Sequence, residues 1–111
     1  VGRGSARLLF RGVGPALTQN FGLSATLANP TLTLFDGAGR ILGTNDDWSF
    51  SPQTAQVREL AAASGAFALP EDGLDSSLIT LTAPGNYTAI IGAKSDSPTK
   101  GIALVELYET P

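Results

Sequence analysis

The chain has 111 residues, 7 Lys and Arg against 10 Asp and Glu, a net charge of −3, and no His, Cys or Met. That length fits a single domain over residues 1–111 that folds without disulfides or metal staples. The missing His and Cys exclude Ser-His and Cys-His nucleophile pairs and cysteine-based zinc sites. Scarce Lys and Arg with an acidic pI near 4.6 argue against a nucleic-acid surface.

No stretch of 18 apolar residues is present, so no segment predicts a membrane-spanning helix. A start at Val1 with no Met points to a processed chain or one module of a longer protein. The first apolar run is Ala6 to Arg11, a strand with Leu8 and Phe10 on one face and Arg7 and Arg11 on a solvated one. Gly12 and Gly14 break it, and Pro15 opens a short helix that Gly22 stops. Thr31-Leu32-Thr33-Leu34-Phe35 alternates strictly, and Asp36-Gly37 turns it into a second strand, Arg40 to Thr44. Ser51 caps and Pro52 opens a longer helix, stopped by Gly65, whose thin stripe of Val57, Leu60 and Ala61 would cover a sheet edge or a barrel end without building a core. Residues 64–76 read as a loop. Ser77 to Thr82 is a strand, Pro84-Gly85 a type II turn, and Tyr87 to Ala93 its return strand. Ser95 to Lys100 is a polar loop. The last strand, Gly101 to Tyr108, is apolar on both faces until Glu106, which predicts a central position. The whole reads as an all-β antiparallel sandwich, of jelly-roll or Greek-key character, with six to eight strands and one or two short helices.

Three groups of side chains are candidates for chemistry. Asn45, Asp46 and Asp47, helped by Asp75 from another loop (Asp72 and Asp96 being further helpers), offer hard oxygens to an ion such as calcium, although their spacing is not that of an EF-hand. The same residues also suit a plain turn, with Trp48 plugging the core edge. Trp48 and Tyr87, with Tyr108 and Phe50, would be the ligand-binding face if aromatic rings stack on polysaccharide. Asp46 or Asp47 with Glu71 or Asp75 are the pairs worth naming for glycoside hydrolysis. No base titrating near neutrality accompanies them, so a catalytic role is not expected. Arg3, Arg7 and Arg11 form a small basic stripe on the first strand, with charge that protects an edge.

Phe10-Arg11-Gly12-Val13-Gly14-Pro15-Ala16-Leu17, Asn29 to Asp36, Asn45-Asp46-Asp47-Trp48, Ala83 to Ala89 and Gly101 to Tyr108 together resemble a repeat-type β-sandwich module of large secreted and cell-surface bacterial proteins. More loosely, the Asn-Asp-Asp cluster with the late Gly-x-Tyr-Thr is similar to pre-peptidase C-terminal domains. The resemblance implies an extracellular β-sandwich and carries no catalytic residues. The expectation is a non-catalytic structural module that assembles with copies of itself, as a fibre or tandem array. Sheet edges or terminal strands would make the contact. Val1, Gly2, Arg3, Arg7 and Arg11 are the candidate interface residues, Val1 to Ser5 serving as an N-terminal arm. The rival is an adhesion or carbohydrate-binding module, with calcium as an optional aid.

Overall fold

The computed structural model describes residues 6–49, 51–71, 73–83, 85–94 and 101–110. In chain order the elements are β1 (Ala6–Val13), α1 (Pro15–Phe21), β2 (Pro30–Phe35), β3 (Ile41–Asn45), α2 (Thr54–Ala63), β4 (Ser76–Thr82), β5 (Thr88–Ala93) and β6 (Leu104–Thr110). Two three-stranded antiparallel sheets result, ordered β4-β1-β6 and β3-β2-β5, packed as a sandwich.

β2 shows why its sheet forms. Pro30, Leu32 and Leu34 are buried while Thr31, Thr33 and Phe35 are half-buried, as strict alternation on a pleated strand requires. The Asp36 side chain accepts the N–H groups of Ala38 and Arg40, which closes the expected turn into β3. Leu32, Leu34 and Phe10 form the core between the sheets. A larger cluster lies on the opposite face of β1, where Leu9 and Val13 meet Ala16 and Leu17 of α1, Val57, Leu60 and Ala61 of α2, and Trp48 and Leu69. Each fully buried leucine here contributes about 1.5–3 kcal/mol.

Four expectations change. α2 begins at Thr54, because Ser51 instead closes a preceding turn by accepting the Gln53 N–H at 3.1 Å. Its stripe does build core, since it is the cover of β1's second face. β5 does not return along β4. It pairs with β2 in the other sheet, where Ala89 and Ile91 pack on the inter-sheet core, so the 83–87 connection crosses between layers. Finally, β6 is an edge strand and β1 the central one. One face of β6 packs Tyr108 on the helix-side core, while Val105 and Leu107 on the other are 48% and 56% exposed. The apolar residues of both its faces therefore do not mean burial of both.

Candidate functional site

Asn45 ends β3, and its side chain works on the backbone. Its Oδ1 accepts the Ser77 N–H at 3.0 Å, and its Nδ2 donates to the Asp47 carbonyl at 3.2 Å. Asp46 is ion-paired with Lys94 at 2.5 Å, a contact that raises the pKa of the Lys94 ammonium. Asp47 points a buried Oδ1 at no partner. Burial first, and Asp46 second, push its carboxyl above the usual aspartate range, with Lys94 opposing. Asp75 is fully buried and faces elsewhere: its Oδ1 accepts the N–H groups of Gly14 and Ala16 at 2.8 and 3.1 Å. It thus caps α1, which begins on Gly14 with no side-chain cap of its own. Gly14 is required there, since an added Cβ would lie 2.1 Å from the Leu27 carbonyl oxygen. Asn45, Asp46, Asp47 and Asp75 are therefore employed separately. Among the described residues no three acidic, His or Cys side chains gather as a metal-holding group. Asp72 and Asp96 lie outside the described residues.

Trp48 is 2% exposed. Its indole N–H donates to the Pro70 carbonyl at 2.9 Å, and the Arg58 guanidinium lies 5.5 Å from its ring centroid. Tyr87 packs on the other core, and its hydroxyl donates to the Ala83 carbonyl. The two rings thus serve different layers and share no platform. Phe50 lies outside the described residues. Glu71 is held by Arg58 through two hydrogen bonds, 3.0 and 2.6 Å, which lower its pKa. This pair rims a small apolar cleft of about 140 Å³ between α2 and residues 66–71.

The first strand departs most from expectation. Arg7 is exposed, but Arg11 is completely buried. Its Nη1 donates to the Phe67 carbonyl at 2.7 Å, its guanidinium stacks 4.4 Å from the Phe67 ring centroid, and its Nε lies 2.9 Å from Glu106 Oε1. The Tyr108 hydroxyl donates to the other Glu106 oxygen at 2.9 Å. Burial lowers the guanidinium's pKa, and Glu106, then Tyr108 and Asp75, oppose that shift. Arg11 is therefore a fastener between β1 and β6, not part of a solvated stripe. Val1, Gly2 and Arg3 lie outside the described residues.

Gln53, which no sequence pattern singles out, takes a defined place. Its Oε1 accepts the Ile79 N–H at 3.1 Å and its Nε2 donates to the Ile79 carbonyl at 3.0 Å. With Asn45 on Ser77, two side-chain amides occupy the outer edge of β4 as a neighbouring strand would. β6, at the other side of the same sheet, has no strand on its outer side among the described residues. Comparison of the chain with protein-family models, curated proteins and solved structures finds no match.

Proposed function

We propose that this chain is a non-catalytic structural module of an extracellular or cell-surface bacterial protein, and that it assembles with copies of itself through a sheet edge. The observation that carries the reading is the outer edge of β6, which no strand among the described residues fills and which exposed Leu104, Val105 and Leu107 flank. Such an edge is a template for another strand. The carboxylates considered for hydrolysis support a structural reading, since Asp46, Glu71 and Asp75 already hold Lys94, Arg58 and the start of α1. A composition free of thiol and thioether suits a module exposed to oxidants outside the cell.

Sedimentation velocity across a concentration series tests this, with and without calcium. The expected result is a mass that rises with concentration in both buffers. A mass fixed at the monomer value throughout overturns the reading.

A further inference from the structure

The two edges of the β4-β1-β6 sheet are chemically unequal, and that inequality limits how copies meet. We propose that two copies pair β6 against β6 in antiparallel fashion, closing a dimer, and that Asn45 and Gln53 stop the joined sheet from growing further. The inference rests on the assembly reading above and gives its geometry.

The hydrogen bonds establish which groups face outward. Ile79 spends its N–H and carbonyl on Gln53, so its backbone points away from β1. Leu9, its register partner, must then direct its own N–H and carbonyl at β6, where it lies opposite Tyr108. Alternation turns the backbone groups of Leu104, Glu106 and Tyr108 toward β1 and those of Val105, Leu107 and Glu109 outward. The outward row thus has no strand partner among the described residues, and its side chains include two exposed apolar residues. β6 carries two carboxylates: Glu106, already neutralised by Arg11 of its own copy, and exposed Glu109 near the strand's C-terminal end, which an antiparallel pairing about Glu106 places at the two ends of the seam. In a chain of net charge −3, this is an edge two copies can share without opposing charges along most of the seam.

Continuous growth of this sheet needs two free edges, and on the β4 edge the Ser77 and Ile79 positions are taken by Asn45 and Gln53. Addition of β6 to the β3 or β5 edge of a neighbour's other sheet would be a heterologous contact that does not close, and it would show as growth past the dimer. The β6–β6 contact is isologous, the same surface serving both copies, and it closes.

Sedimentation velocity from micromolar to millimolar protein reads the stoichiometry. The expected mass climbs to twice the monomer and stops. Leu107→Pro deletes an outward donor and spares the β1 ladder, so it gives a folded monomer, checked by circular dichroism. Val105→Lys places like charges at the seam, weakens association about tenfold or more, and decides the matter where the proline variant fails to fold. Asn45→Ala with Gln53→Ala opens the β4 edge and carries the mass beyond the dimer. A dimer that survives both β6 variants overturns the proposal. Unlimited growth of the unaltered protein overturns it and keeps the assembly reading; a monomer at every concentration overturns both.

Discussion

Arg11 and Asp47 show opposite treatments of a charge removed from water. Arg11 is matched by Glu106, the Phe67 carbonyl and the Phe67 ring. Arg11→Ala leaves Glu106 without its cation beside an apolar core, and should cost about 3–5 kcal/mol in a urea titration. The double variant Arg11→Met with Glu106→Gln keeps an acceptor for Tyr108 and should cost clearly less than Arg11→Ala. Asp47 has a buried Oδ1 without a hydrogen-bond partner among the described residues, and burial, more than neighbouring Asp46, raises its pKa against the pull of Lys94. A carboxyl that binds its proton more tightly in the folded state favours folding below the ordinary aspartate pKa of about 4, and that benefit is lost as pH rises through the raised value. Asp47→Asn should therefore raise the melting temperature at pH 7, with the gain vanishing below about pH 4. Neither role was visible in the sequence. Arg7 and Arg11 share a strand parity, so alternation gives them the same face, and only α2 and residues 66–69 packing over the far end of β1 separates their fates.

Helix α1 has seven residues, too few to persist alone. It holds because Asp75 takes two of its N–H groups and Ala16 and Leu17 enter the helix-side core. Asp75→Ala strands those donors in a buried setting and should cost about 1–3 kcal/mol by thermal unfolding, with faster amide exchange confined first to residues 14–21. Local chemistry made several elements readable in advance. Thr31 to Phe35 carries its own period, Asp36 its own turn, and Gly22 its left-handed stop at φ 70°. Partners were not readable, because pairing joins residues far apart. The apolar pattern of β6 suited a central strand, and only the competition for β1 puts β6 at the edge. The Asn45 to Trp48 cluster suited an ion site or a turn, and its actual employment depends on Ser77, Lys94 and Pro70 arriving from distant segments. Gln53 gave no signal, since an amide that imitates a peptide group has no sequence signature.

At the level of the molecule, net charge and edge chemistry oppose each other. Two copies at −3 each repel at long range, while within β6 Glu106 is already paired with Arg11 and Glu109 is the strand's other carboxylate. Raising salt from about 10 to 150 mM shortens the Debye length from about 30 to 8 Å, so self-association should tighten, read as a lower dissociation constant by sedimentation equilibrium. A dimer that weakens with salt would mean ion pairs, not the apolar edge, hold it.

The central position of β1 also governs how the fold is reached. Arg7 lies opposite both Leu81 and Thr110, so the β4-β1-β6 sheet joins segments from opposite ends of the described chain. In synthesis β1 precedes β4 and β6, so its apolar faces lack their sheet partners until those strands follow. Closing such long loops before any strand contact forms predicts slow folding, in the millisecond-to-second range. The interval before β6 docks is when β1 is most exposed to capture by the wrong strand. The buried Arg11 disfavours such mistakes, because a strand that lacks a carboxylate at the position of Glu106 would bury it unpaired.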